Sequence, residues 1–185
     1  DSAIEEFLLD LAGSKRPSVC YVGTASAHVP ERVGAFYDAF GERDCEPSHL
    51  ELFGMPEEPA AHIARQDVIY VGGGNTVNML AIWRAHGLDV ALREAWEAGV
   101  VLAGVSAGAV CWFESGVTDS YGNGLAPLRG GLGLLRGTMV PHYDGEADRR
   151  PTLHRLIVDD VWPHALAVDD GAAAVFVDEV LIEVW

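Results

Sequence analysis

Basic residues are scarce in this sequence: 12 Lys plus Arg stand against 28 Asp plus Glu, a formal charge of −16 over 185 residues. A surface that acidic repels phosphate, which argues against nucleic acid or an anionic membrane as a main partner. A single arginine can still reverse the sign locally inside a pocket. Cysteine is scarce too. Cys20, Cys45 and Cys111 are odd in number and lack paired spacing, so neither a disulfide framework nor a metal site is expected. Cys20 and Cys111 sit in apolar runs, where a thiol serves as a small buried hydrophobe. No apolar stretch reaches the ~20 residues that span a bilayer, and residues 1–10 carry no basic region of the kind that opens a signal peptide. Internal repeats, low-complexity tracts and linkers are also missing. What is present is apolar content of 49%, too high for a disordered chain. The expectation is one cytoplasmic domain spanning residues 1–185.

Short β-branched runs alternate with helical patterns. Val19-Cys20-Tyr21-Val22, Val68-Ile69-Tyr70-Val71 and Val100-Val101-Leu102-Ala103 read as strands buried on both faces. Residues 30–40 place Val33, Phe36, Tyr37 and Phe40 at helical spacing behind Pro30. Residues 75–85, 88–98 and 148–160 read as further helices, and 165–168, 172–177 and 180–185 as short strands with a turn at Asp178-Glu179. The Gly-rich stretch 122–137 reads as a long irregular connection. The alternation predicts an α/β fold, a doubly wound and mostly parallel sheet. The chain opens on a helix-like segment (Ile4, Phe7, Leu8, Leu11), whereas such a sheet commonly opens on a strand, so a first strand is expected upstream of residue 1.

The strongest chemical signal is Gly104-Val105-Ser106-Ala107-Gly108. It leaves a buried strand directly and leads into Ala109-Val110-Cys111-Trp112-Phe113, read as a helix. That context suits a nucleophile elbow, in which small residues flank a serine on a strained turn and a helix N-terminus stands behind it. A second loop, Gly72-Gly73-Gly74-Asn75-Thr76, ends another buried strand. Val77 stands where a dinucleotide fingerprint needs glycine, and no Lys follows to make a phosphate loop of the Walker type. An oxyanion hole fits better, with one N–H from Gly74 and one from Ala107; a bare strand-to-helix turn is the plain alternative.

A serine nucleophile needs a base, and the base an orienting acid. His28, His49, His62, His86 and His154 lie in polar or helical contexts, most of them read as solvated, and His164 follows Pro163. His142, in Met139-Val140-Pro141-His142, follows an apolar run at the expected mouth of the sheet. The residues alone leave the acid open among Asp119, Asp144, Asp169 and Asp170, since a lone Asp is as often a cap or turn carboxylate.

Taken together, residues 64–76, 104–109, Pro141-His142 and Asp170-Gly171 resemble the peptidase E (aspartyl dipeptidase) family of serine peptidases and its cyanophycinase-like relatives. The stretches recur in the family's order from about residue 17 to the C-terminus. The resemblance implies a flavodoxin-like fold related to class I glutamine amidotransferases, with serine in place of their cysteine. It implies Ser106 as nucleophile, His142 as base and Asp170 as triad acid where the family usually has Glu, with Asp119 a second acidic position. Gly74 and Ala107 match the oxyanion donors. Asn75, Arg149 and Arg150 fall where substrate is bound, and in aspartate-specific members an arginine beyond the histidine holds the aspartyl carboxylate. Val140 replaces the Asp that cyanophycin-cleaving relatives carry two residues before the histidine, which argues against that branch. The implied function is exopeptidase hydrolysis of short peptides, N-terminal Asp-Xaa being one candidate, without cofactor. Because a small domain with a site at its edge can use a second subunit to wall the pocket, a homodimer is expected. The alternatives are an amidotransferase-like ligand-binding module and an esterase that uses Asp119.

Overall fold

The computed structural model describes residues 2–54 and 58–185. In chain order the elements are α1 (Ser2–Leu11), β1 (Ser18–Val22), a single 3₁₀ turn (Thr24–Ser26), α2 (Pro30–Phe40), β2 (Glu46–His49), α3 (Pro59–Ile63) and β3 (Val68–Val71). Then come α4 (Thr76–Ala85), α5 (Leu88–Glu97), β4 (Val101–Gly104), α6 (Ala107–Val110), β5 (Phe113–Thr118), β6 (Ala126–Arg129) and β7 (Leu135–Val140). The last third holds α7 (Arg149–Val158), β8 (Leu166–Ala167), β9 (Ala174–Val177) and β10 (Val180–Val184).

The fold is α/β and mostly parallel. One sheet has the order β2-β1-β3-β4 with every pair parallel. A second has the order β6-β5-β7-β8, in which β5–β7 and β7–β8 are parallel and only β6 runs against its neighbour. The pair β9–β10 forms a separate antiparallel hairpin. Helices cover both faces of the first sheet, as near-continuous apolar strands require. On one face Val19, Tyr21 and Val68 pack against Phe36 and Phe40 of α2, with Leu9 of α1 at the margin. On the other, Cys20, Val22, Ile69 and Val71 meet Leu80 and Trp83 of α4 and Leu92 of α5. The same core continues into the second sheet through Val110, Cys111, Phe113 and Met139. No helix among the described residues is long and apolar enough to cross a membrane.

The departures from sequence reasoning have local causes. The helix expected over 109–113 stops at Val110, because the carbonyls of Cys111 and Trp112 accept instead from Leu132, Leu134 and Leu135 at 2.8–2.9 Å. The chain then extends as β5. The stretch read as an irregular connection contains β6 and enters β7. Strand β2 reads Glu-Pro-Ser-His and escaped notice because it is an edge strand, the place in a sheet where proline is tolerated.

Candidate active site

Ser106 stands two residues beyond the end of β4, and its backbone is strained, with φ +56° and ψ −116°. A non-glycine residue there costs on the order of 1–3 kcal/mol, so the surroundings must hold it. They do so by crowding. A Cβ on Gly104 would collide with the Gly108 carbonyl, and one on Gly108 with the Val71 carbonyl. Val105 N donates to Val71 O at 3.1 Å, and the Ser106 carbonyl accepts from Ala109 and Val110. Because α6 is only four residues long, its dipole is smaller than a full helix would supply. What remains for an anion is a set of free donors: the N–H groups of Gly73, Gly74 and Ala107 meet no protein acceptor among the described residues.

The glycine loop lies directly against this serine. The position a Gly73 Cβ would take is 3.1 Å from Ser106 Cβ. Gly74 has φ +139°, and any side chain there would strike the Ala25 carbonyl. Asn75 fixes the loop at both ends. Its Oδ1 caps α4 by accepting from Asn78 N at 2.8 Å, and its Nδ2 donates to Ser120 O at 3.0 Å. Ser120 Oγ in turn accepts from Thr76 N at 2.8 Å. These bonds join the exit of β3 to the exit of β5, one sheet to the other. Asn75 thus holds the loop in place.

His142 follows β7 and Pro141 with φ +54°, and its Nδ1 lies 2.5 Å from Asp170 Oδ1. With the proton on Nδ1 the imidazole donates to the carboxylate and leaves Nε2 open. The two loops are held together by extension of the β7–β8 ladder: Val168 N donates to Val140 O at 2.9 Å and Tyr143 N to Val168 O at 3.1 Å. Asp144 Oδ1 accepts from Asp170 N at 2.8 Å, and that bond first of all holds the Asp144 carboxyl below its ordinary value. Gly145 packs so tightly on the Asp170 carboxylate that a Cβ would overlap it. The site stays open to water, with the His142 side chain 27% and the Asp170 side chain 55% exposed. Among the described residues no hydrogen bond links Ser106 to His142.

The remaining candidates separate clearly. Asp119 lies at the exit of β5, exposed, with its carboxylate on no histidine. Arg149 is turned inward, contrary to its expected place at the substrate: it is 3% exposed, Nε donates to Glu146 Oε2 at 2.7 Å and Nη1 to Val117 O at 2.7 Å. It ties α7 to β5. Arg150 lies over the Tyr143 ring, 4.7 Å from its centroid. His28, read from sequence among residues mostly solvated, is buried. All three thiols are buried, and burial pushes Cys20 up to about 12 and Cys111 well above its ordinary value. None of them offers a thiolate in place of the serine. Sequence reasoning missed Arg32, on the first turn of α2, whose Nη1 donates to Gly73 O at 2.9 Å. A basic residue far earlier in the chain gave no signal, since only the fold brings it to the glycine loop.

Comparison with known proteins identifies the family. The model for "Peptidase family S51" matches residues 1–184. The uncharacterized peptidase YgaJ of Bacillus subtilis (strain 168) is 47% identical over 182 residues, 98% of this chain and 78% of that protein. Peptidase E of Shewanella denitrificans (strain OS217 / ATCC BAA-1090 / DSM 15013) is 30% identical over 126 residues, 63% of this chain and 53% of that one, so the match spans about half of that relative. Among solved structures, a Listeria monocytogenes EGD-e protein provisionally assigned to peptidase E superposes with TM-score 0.67 at 21% identity, covering 97% of this chain and 90% of that one. A peptidase from an acI-B1 Actinobacterium gives TM-score 0.66 at 18% identity, covering 94% and 76%. At those identities the structures speak for the fold alone. The chain belongs to peptidase family S51 and is a peptidase, a hydrolase of peptide bonds.

Proposed function

We propose that this peptidase is a serine exopeptidase of short peptides. Ser106 attacks the scissile carbonyl while His142 Nε2 takes its proton, and Asp170 fixes the imidazole tautomer. The free N–H groups of Gly74 and Ala107 stabilise the tetrahedral oxyanion, each such donor being worth roughly 3 kcal/mol. His142 then protonates the leaving amine, and water, activated by the same imidazole, hydrolyses the acyl-enzyme. The observation that carries this reading is the 2.5 Å His142–Asp170 pair, taken together with the strained turn of Ser106 after β4. The lack of a Ser106–His142 hydrogen bond among the described residues is compatible with it, because catalytic hydrogen bonds commonly tighten only when substrate is bound. The resemblance to the peptidase E (aspartyl dipeptidase) family favours N-terminal Asp-Xaa dipeptides as substrates, with exposed Arg150 beyond the histidine as a cation for an aspartyl carboxylate. The same reading has the enzyme act in the cytoplasm as a homodimer of single-domain chains, needing no cofactor.

Fluorophosphonate labelling tests the core of the proposal. Wild-type protein takes up the probe and the Ser106→Ala variant does not. A wild type that resists the probe, or a variant that still labels and cleaves peptides, sinks the serine mechanism. A panel of Asp-Xaa dipeptides, other dipeptides and longer peptides then reads the specificity.

A further inference from the structure

We propose that Arg32 is a specificity-determining residue that binds a carboxylate of the peptide substrate; the inference rests on Ser106 being the nucleophile. The point a Gly73 Cβ would occupy is 3.1 Å from Ser106 Cβ and 3.6 Å from Arg32 Nη1. Serine and guanidinium therefore border one small gap, kept open because residue 73 has no side chain. Arg32 is exposed and only Nη1 is engaged, on the Gly73 carbonyl. Among the described residues its other donors form no bond and no Asp or Glu pairs with it, although the chain carries 28 of them. That leaves a guanidinium edge for a planar carboxylate, the partner its fork geometry fits.

The position of Arg32 is costly for the fold by itself. It lies in the first turn of α2, beside Pro30 and Glu31, at the end of the helix where the dipole disfavours a cation. The bond to Gly73 O contributes to placing the loop, but a neutral side-chain donor would serve that purpose. A permanent cation next to the reacting serine, in a strongly acidic protein, has a further role if the substrate brings a negative charge. Two carboxylates of a dipeptide could meet it: an acidic side chain of the residue that is acylated onto Ser106, or the C-terminal carboxylate of the leaving residue. In either case the anion is held beside Ser106 and the glycine loop.

The test uses the full chain as wild type, Arg32→Met and Arg32→Lys. First, fluorophosphonate labelling of Ser106 is followed with and without succinate, and the ratio of the two rates is compared between variants. Succinate protects wild type and fails to protect Arg32→Met, with partial protection in Arg32→Lys. Second, kcat/KM is measured on Asp-Leu, Asn-Leu, Asp-Leu-amide and Asn-Leu-amide. Removing Arg32 lowers kcat/KM about 10- to 100-fold for the peptide bearing the recognised carboxylate, the usual range for a hydrogen bond to a charged group. A loss on Asp-Leu-amide identifies the side chain, and a loss on Asn-Leu the C-terminus. Equal losses on all four peptides, or unchanged succinate protection, overturn the proposal and leave Arg32 as a residue that only positions the loop. If wild-type Ser106 does not label at all, the serine mechanism fails and this inference with it.

Discussion

Replacing Asp170 by Asn isolates the electrostatic part of the proposed mechanism, since the amide keeps the shape of the side chain and removes its charge. During attack the His142 imidazole becomes an imidazolium 2.5 Å from Asp170 Oδ1. At that distance a full charge pair interacts by about 2 kcal/mol in water-like screening and about 7 kcal/mol at an effective dielectric constant near 20. The Asp170 side chain is 55% exposed, so solvent screens the pair heavily and the lower part of that range applies, about 2–4 kcal/mol. The substituted amide can also accept from Nδ1–H, but its NH₂ can equally donate to an unprotonated Nδ1 and so favour the wrong tautomer. The expected result is a fall in kcat/KM of roughly 30- to 1000-fold, smaller than a fully buried acid would give. The assay is hydrolysis of whichever dipeptide the panel identifies, with the fluorophosphonate rate at Ser106 falling in parallel. Asp119→Asn is the control and stays within about threefold of wild type. Asp170→Asn activity within about threefold of wild type, or a larger loss in the Asp119 variant, would refute the assignment of Asp170.

Gly145→Ala, at a residue with no left-handed φ to protect, displaces the Asp170 carboxylate and lowers kcat/KM at least about tenfold while Tm shifts little; a side-by-side melting curve and kinetic assay check both halves. Arg149→Met strands Val117 O and Glu146 and costs about 2–4 kcal/mol of stability, read from the urea midpoint. Acid weakens the fold through His28 and His62. Burial is the main cause holding both below their ordinary value of 6.5, Glu51 opposing it at His28 and Arg65 adding to it at His62. The unfolded chain binds their protons first, so stability is full above about pH 6.5 and falls as pH drops from there toward the lower folded values. Melting temperatures across that range should flatten in a His28→Asn, His62→Gln double variant, and an unchanged slope would assign the effect elsewhere.

Sequence reasoning succeeded where a signal is local. Val19–Val22 and Val68–Val71 announce themselves by unbroken apolar runs, and α2 begins and ends where Pro30 and the Phe36/Phe40 spacing put it. Ser106 and the Gly72–Gly74 loop were legible for the same reason, because strained turns need small residues beside them in the chain. Failures came where distant partners decide. The end of α6 is dictated by Leu132, Leu134 and Leu135 taking the next carbonyls, and β5 has no clean alternation in Phe-Glu-Ser-Gly-Val-Thr. The carboxylate that pairs with His142 could not be picked from sequence, because His142 and Asp170 meet only across two loops. Arg149 and Arg150 are neighbours whose fates are opposite, one inward and one outward, and only the phase of α7 against β5 separates them.

The division into two sheets has a consequence for when this chain becomes active. Ser106 and the glycine loop are carried by strands that are complete by residue 104, whereas His142 and Asp170 hang from β7 and β8 in the other sheet. During synthesis the half that carries the proposed nucleophile therefore emerges first, unarmed. The proposed base and its acid are delivered by the final third of the chain, and the bonds of Asn75 and Thr76 to Ser120 are among the contacts that register one half on the other. On the proposed mechanism, a nascent or truncated chain that lacks β8 holds a serine with no oriented base, so hydrolytic power arrives only with completion of the fold.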